Sequence, residues 1–289
     1  MRTLNEYCRQ AFGEKLYKLS LNGGMTCPNR DGTLDTRGCI FCSAGGSGDF
    51  APDARLSIPA QIEEAKARVA QKYRGRRYIA YFQAYTNTYA PVERLRALFT
   101  PVIQREDIAV LSVATRPDCL PGDVLDLLGE LNRKKPVWVE LGLQTIHPAT
   151  AAYIRRGYDL ACYDRAVAEL TARGIHVVTH VILYLPGETR EQMLETVRYV
   201  GRCSGGIKLQ LLHVLEGTDL AAEYRAGRVP LPTLEEYVDL VRDCVGELPP
   251  DTVVHRMTGD GPKRILIAPQ WSGDKKRGLN ALNRALGRT

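Results

Sequence analysis

The stretch GGMTCPNRDGTLDTRGCIFC, residues 23–42, carries three of the eight cysteines of a 289-residue chain. Cys39 and Cys42 form a CxxC pair, and Cys27 stands twelve positions before Cys39. The segment LYKLSL (16–21) just upstream has the length and composition of a β-strand. The three thiols therefore belong to the loop that leaves the C-terminal end of that strand. What kind of sheet the strand joins, and what three sulfurs hold together, are the two questions the rest of the chain must answer.

Working outward, strand-length apolar stretches alternate with helix-period segments. The candidate strands after LYKLSL are YIAYFQA (78–84), IAVLSVA (108–114), VWVELGL (137–143), VVTHVILYL (177–185) and IKLQLLHV (207–214). Several are near-continuous runs of β-branched and apolar residues, as in a parallel sheet buried on both faces. Between them Ser57 precedes Ile58, Ile62, Ala65 and Val69 at helical spacing. Val124, Leu127, Leu128 and Leu131 repeat likewise, as do Tyr163, Ala166, Val167 and Leu170, with Asp159 as N-cap and Gly174 as stop. Thr189 and Gln192 have capping-box spacing. Six such units predict a parallel α/β fold, either an open wound sheet or a full or partial barrel, with its site at the C-terminal strand ends. The pattern changes near residue 216. Two helical segments, the short strands VVHRM and ILIAP, and a last helix GLNALNRALG form a C-terminal extension over 216–289.

Apolar content of 44% and charged content of 25% are those of an ordinary globular protein. No apolar run approaches the length that spans a bilayer, so no membrane partner is expected. The start, MRTLNEYCRQAFGEK, lacks an apolar signal segment, and a cytoplasmic location is expected. In a reducing compartment clustered cysteines point to metal or catalysis, while Cys8, Cys119, Cys162, Cys203 and Cys244, scattered singly, read as small buried hydrophobes. The net charge of +6 is uneven: residues 256–289 hold eight Lys/Arg against two Asp/Glu, and the remainder is balanced. Such a tail suits a polyanionic partner or simply a solvated surface.

A structural zinc site closes with four ligands. The first 146 residues contain no histidine, and Cys8 lies before the first strand in a helical segment. A [4Fe–4S] cluster also takes four ligands, so three thiolates leave one iron open. S-adenosylmethionine (SAM) can take that place through its amino and carboxylate groups, and an electron from the cluster then cleaves its sulfonium to a 5′-deoxyadenosyl radical.

At this point the chain resembles a family. Cys39-Ile-Phe-Cys42 is similar to the end of the radical SAM motif, with Phe41 as the aromatic near adenine. The long gap after Cys27 resembles the branch related to the elongator catalytic subunit. Over nearly the whole chain TCPNRDGT, FQAYTNTY, VATRPDCLP, ELGLQT, HVILYLPGE and HRMTGDGPKRILIAPQWS resemble the YtqA/YhcC type. The resemblance implies a partial (β/α)6 TIM-like barrel, residues 1–215, followed by the extension. It implies cluster ligation by Cys27, Cys39 and Cys42, ribose contact by Gln144, a SAM carboxylate partner in Arg156 (or Arg155), and a ribose partner in His180. Glu140 shares a strand face with Gly142 and Gln144 and joins the cofactor-binding candidates. The usual Gly-Gly-Glu for the SAM amino group is absent; Gln83, Thr86 and Asn87 supply oxygens in its place. Tyr184 replaces a glycine in the family's turn before Pro186.

Several residues keep two readings. Tyr81, Tyr85 and Tyr89 are bases' stacking partners or core. Arg116 faces the mouth if the register holds. Lys208 and His213 have opposite parity, so at most one is expected inside a barrel. The basic run Lys263, Arg264, Lys275, Lys276 and Arg277 with Trp271 suits a folded RNA. The resemblance points to the wobble uridine of tRNA and to conversion of 5-carboxymethylaminomethyl-uridine to 5-aminomethyl-uridine, with an external electron donor such as flavodoxin or ferredoxin. Two rivals stand beside this: a radical SAM enzyme acting on a protein side chain or small metabolite, and a zinc-stabilised RNA-binding protein.

Overall fold

A computed structural model describes residues 1–259 and 261–288. Asp260, within the HRMTGDGPKRILIAPQWS motif, and Thr289 lie outside the described residues. In chain order the elements are β1 (Arg2–Thr3), α1 (Leu4–Phe12), β2 (Tyr17–Leu21), α2 (Ile58–Val69), β3 (Tyr78–Phe82), α3 (Val92–Gln104), β4 (Ile108–Thr115), α4 (Gly122–Asn132) and β5 (Val137–Gln144). There follow α5 (Pro148–Tyr153), α6 (Leu160–Ala172), β6 (His176–Leu183), α7 (Arg190–Cys203), β7 (Gly206–Leu211) and β8 (Val214–Leu215). The chain continues through α8 (Asp219–Arg225), α9 (Leu234–Glu247), β9 (Val253–Arg256), β10 (Leu266–Ala268) and α10 (Lys275–Ala285).

The six expected strands are β2 to β7, and they pair in sequence order, all parallel. The sheet does not stop there. β9 of the extension pairs parallel with β7, and the two-residue β1 pairs parallel with β9. An eight-stranded sheet curled into a half-barrel results, a partial TIM-like barrel. The extension is thus part of the same sheet rather than a layer added to it. β1 is too short to leave a periodic signal.

Alternation along each strand decides which side chains meet. Leu19 and Leu21, Ala80 and Phe82, Leu111 and Val113, Val139 and Leu141 face outward and join one core with the helices. Phe82 meets Phe99 of α3 edge-on at 5.0 Å, and burying each such ring is worth about 2–3 kcal/mol. The helix signals hold: Ser57 and Asp159 accept from Ala60 N and Cys162 N, and Thr189 with Gln192 forms both bonds of a capping box. Gly174 is left-handed, φ 68°.

The N-terminal ends of the strands are plugged by α1. Cys8, Leu16, Ile79, Val110 and Trp138 form a separate buried cluster there. Cys8 is therefore at the far end of the sheet from the cysteine loop. Trp271, expected beside the basic residues as a stacking surface, instead packs on Tyr237 at 5.6 Å and donates its indole N–H to Pro232 O. It is half-buried, whereas Lys263, Arg264, Lys275, Lys276 and Arg277 are exposed. Among the described residues no helix is long and apolar enough to cross a membrane.

Candidate active site

The long gap between Cys27 and Cys39 is closed by a folded excursion. Cys27 O accepts from Arg30 N at 2.8 Å, and Pro28 O accepts from Leu34 N at 2.8 Å. Gly38 N then returns to Asn29 O at 2.7 Å, which sets Cys39 beside the start of the loop. Asn29 is 2% exposed. Its amide donates to Arg155 O at 2.7 Å and reaches Cys39 Sγ at 3.5 Å. One side chain thus ties the cysteine loop to the segment after α5. Asn29→Ala removes these bonds and leaves Arg155 O without that donor, so a stability loss of about 1–3 kcal/mol is expected. Chemical unfolding together with iron content after reconstitution checks this; unchanged values for both would show that Asn29 does not hold the loop.

Cys27, Cys39 and Cys42 line one cavity, about 1530 Å³ and open to solvent, above the C-terminal strand ends. Burial, with Cys42 and Cys27 nearby, pushes the Cys39 thiol up to about 11. Burial also raises Cys42, against the pull of Arg30. Arg30 donates to Cys42 O at 2.9 Å and Ser43 O at 2.7 Å. Such crowded thiols become good ligands once a cationic group removes their protons. A [4Fe–4S] cluster fits this donor set: three soft sulfurs on one wall, with Cys8 too remote to close a four-cysteine zinc site.

The inward residues form layers beneath the thiols. Phe41, Gln83, Thr86, Glu140, Gln144, Arg156 and His180 all line the cavity. Asn87 does not. It is fully buried between strands, its amide donating to Phe82 O at 3.1 Å and Ala114 O at 3.0 Å. The chain has already turned after β3, so strand alternation no longer carries Asn87 inward. Gln83 accepts from Ser20 Oγ at 2.9 Å and donates to Ser47 O at 2.7 Å, bridging β2 to the cysteine loop. Gln144 sits at φ 65°, where β5 slips register against β6. A non-glycine there is strained, as functional positions often are. Gly142 leaves room for its side chain: a Cβ there would lie 2.6 Å from Gln144 Nε2 and displace the amide.

Arg156 is in the cavity wall with two of its three nitrogens held by carbonyls, Nε to Tyr158 O at 2.9 Å and Nη1 to Leu143 O at 3.1 Å and Thr145 O at 2.7 Å. Arg155 is outside the wall and pairs with Asp219 at 2.5 Å. Arg116 does face the cavity, forked onto Asp118 at 2.7 and 2.9 Å. Arg116 and Arg156 flank the ring of Tyr158 at 5.0 and 4.8 Å. Tyr158 was not singled out in the sequence, because nothing local separates it from a surface tyrosine. Lys208 and His213 both line the cavity, against the expectation of one. β7 ends at Leu211, so parity no longer applies at His213, which meets Ser272 Oγ at 3.1 Å. Tyr184 has φ 67°, in the region that favours glycine, and its hydroxyl donates to Glu236 O at 3.2 Å, so the side chain turns onto α9 and leaves the cavity open. Tyr81 and Tyr85 line the cavity, while Tyr89 lies outside it, bonded to Thr33 at 2.8 Å.

Glu140, 1% exposed, anchors the deepest polar layer. It accepts from Lys18 at 2.6 Å, Ser112 at 2.8 Å, His180 Nε2 at 2.7 Å and Lys208. The lysines and His180 hold its carboxyl well below the usual range despite burial. Since Nε2–H of His180 faces a carboxylate, its Nδ1 accepts from Gln210 at 3.3 Å. Both ring nitrogens are committed and the imidazole is neutral, lowered to about 4 by burial and Lys208. His176, stacked on Tyr7 and His255 at the plug, is likewise lowered to about 4 by burial. Both folded-state values lie below the ordinary 6.5, so their stabilising effect is present above pH 6.5 and lost as pH falls toward 4. The expected loss from pH 7 to pH 5 is on the order of 1–2 kcal/mol per histidine. Urea unfolding across that range measures it, and a flat profile would contradict the assignment.

Comparison with known proteins agrees with this geometry. The Radical SAM superfamily model matches residues 36–200, and the Radical_SAM C-terminal domain model matches residues 205–288. YtqA of Bacillus subtilis (strain 168) is 47% identical over 285 residues, covering 98% of this chain and 88% of that protein. YhcC of Escherichia coli (strain K12) is 40% identical over 277 residues, covering 95% and 88%. The solved structure of the archaeal Methanocaldococcus infernus Elp3 superposes with a TM-score of 0.69 at 14% identity, covering 93% of this chain and 63% of that one, and so shares the fold. A chain with three thiols at the mouth of a parallel half-barrel, matched by both family models over most of its length, belongs to the radical SAM superfamily, whose cofactors are a [4Fe–4S] cluster and S-adenosylmethionine.

Proposed function

We propose that this chain modifies the wobble uridine of tRNA, converting 5-carboxymethylaminomethyl-uridine to 5-aminomethyl-uridine. One observation supports an RNA substrate most directly. Gly259, Gly261 and Pro262 of the extension line the cavity, and the next two residues, Lys263 and Arg264, are exposed cations. A basic rim at the mouth suits a phosphate backbone whose one base must enter. The resemblance to the YtqA type points to the same nucleoside. On this reading residues 1–215 carry the radical chemistry and 216–289 the RNA contact.

Cys27, Cys39 and Cys42 would hold the cluster, Phe41 would pack near adenine, Gln144 would meet the ribose, Arg156 the methionyl carboxylate, and Gln83 or Thr86 the amino group. Bound there, the cluster and SAM would supply a 5′-deoxyadenosyl radical able to abstract hydrogen from the carboxymethyl group. The protein's part is to exclude water and fix the substrate. Gln83 and Asn29 brace the cysteine loop from two sides, and the Arg116–Tyr158–Arg156 stack stiffens the opposite wall. The family chemistry requires a one-electron donor; flavodoxin or ferredoxin, in the cytoplasm, would serve.

Reconstituted protein incubated anaerobically with SAM, dithionite and tRNA from a strain lacking the gene is expected to release 5′-deoxyadenosine and shift the nucleoside from the carboxymethylaminomethyl to the aminomethyl form. Mass spectrometry of both products reads this. Deoxyadenosine with unchanged nucleosides would redirect the substrate to a protein side chain or metabolite.

A further inference from the structure

Among the described residues, two lysines meet one carboxylate at the floor of the cavity. Lys208 of β7 lines the cavity, Lys18 of β2 lies outside its lining, and both pair with the carboxylate of Glu140. His180, the other partner of that carboxylate, is neutral by its hydrogen bonds. Both ammoniums lie near the ring of Tyr81, Lys18 Nζ 4.8 Å and Lys208 Nζ 4.4 Å from its centre. Its π face eases their repulsion but adds no countercharge. Arg256 lines the same cavity and has interactions of its own.

Lys208 is 2% exposed and still contributes to the cavity lining. An ammonium has three N–H bonds to donate. Among the described residues two acceptors meet this one, Glu140 Oε2 and Tyr81 Oη, the latter at 3.2 Å. Burying an ammonium with an unmatched charge is costly, and an arriving anion would remove much of that cost. Burial and the neighbouring cations lower the basicity of Lys208, which is the electrostatic sign of the same imbalance.

We infer that Lys208, backed by Lys18 and Glu140, is a subsite for a single carboxylate of the substrate, and that it selects the carboxymethyl form of the nucleoside over analogues lacking that carboxylate. The inference rests on the proposed function for the identity of the substrate, but not for the anion site itself. Glu140 has a defined part: it accepts from both lysines, so that of this trio one positive charge is left for an arriving carboxylate. The methionyl carboxylate of SAM offers the same chemistry. It is expected higher in the cavity, near the thiols and Arg156, so the two sources are separable by experiment.

The test compares two ligands on cluster-loaded protein saturated with SAM and without reductant. One is free 5-carboxymethylaminomethyl-uridine, and the other is the same nucleoside with its carboxylate converted to the primary amide. Calorimetry is expected to show the acid binding about 100-fold tighter than the amide. Lys208→Gln is expected to reduce that preference about tenfold or more, by weakening the acid. Its fold is expected to survive because Glu140 keeps Lys18, Ser112 and His180. If Lys208→Gln does not fold, Lys18→Gln, on the more exposed lysine, carries the same comparison. Equal affinity for acid and amide in the unaltered protein would overturn the subsite, as would an unchanged preference in the variant. A variant that weakens SAM while leaving the preference intact would assign the lysine to the cofactor's carboxylate and also overturn it. Turnover of tRNA is read separately. Carboxylate-dependent binding without tRNA conversion would retain the anion site and discard the proposed function; conversion without discrimination would do the reverse.

Discussion

Cys39→Ala protein, reconstituted with iron and sulfide, is expected to release essentially no 5′-deoxyadenosine. The loss should be about 1000-fold or more, because the three thiolates act as one unit and removing a member forfeits the function of all. Cys39 is the strongest test of the three. Its sulfur is tied to Asn29 and lies 3.7 Å from Arg155 O, so a neighbouring water or thiol has no ready path to replace it. Iron and acid-labile sulfide should fall with activity. Cys162→Ala is the control: Cys162 is at the start of α6, outside the cavity wall, and its loss should leave cluster content and cleavage intact. Normal cleavage by the Cys39 variant, or zinc in place of iron in the unaltered protein, would remove the cluster assignment.

Glu140→Gln is expected to cost about 3–5 kcal/mol, since it strands the buried Lys208 and the half-buried Lys18 around a neutral amide. For a domain of this size the melting temperature should fall by about 10 °C. The deficit should shrink as pH rises, because a stranded ammonium escapes its desolvation by losing a proton. Lys208→Met should cost less, because Glu140 then faces Lys18 alone and remains charge-matched. The asymmetry between the two variants is the informative result. Equal losses would mean that the layer is held by packing, and an unchanged melting temperature for Glu140→Gln would mean that the lysines do not depend on the carboxylate.

The α/β alternation and most element positions were legible because they rest on local periodicity. The starts of α2, α6 and α7 follow from Ser57, Asp159 and Thr189, whose side chains bond backbone within three residues. Phe41, Gln83, Thr86, Glu140, Gln144, Arg156 and His180 were found as a set because family motifs sit at successive strand ends, and the cavity gathers them. Lys18 was missed, though a lysine between apolar strand residues is itself a signal that something opposes it. Asn87 and His213 were misjudged for one reason. Alternation predicts facing only while the strand lasts, and both lie beyond a strand end.

The sequence by itself determined the order of strands and helices, the three-thiol loop and the family, since each depends on covalent spacing or on contacts within a few residues. Tertiary structure alone decided what those side chains do to one another. Glu140 meets Lys18 across 122 residues and Lys208 across 68, and Asn29 reaches Arg155 across 126. These meetings depend on the register of parallel strands and on a sheet that curls. No pattern along the chain encodes where a curled sheet closes distance, so the charged floor of the cavity became visible only when the strands were brought side by side.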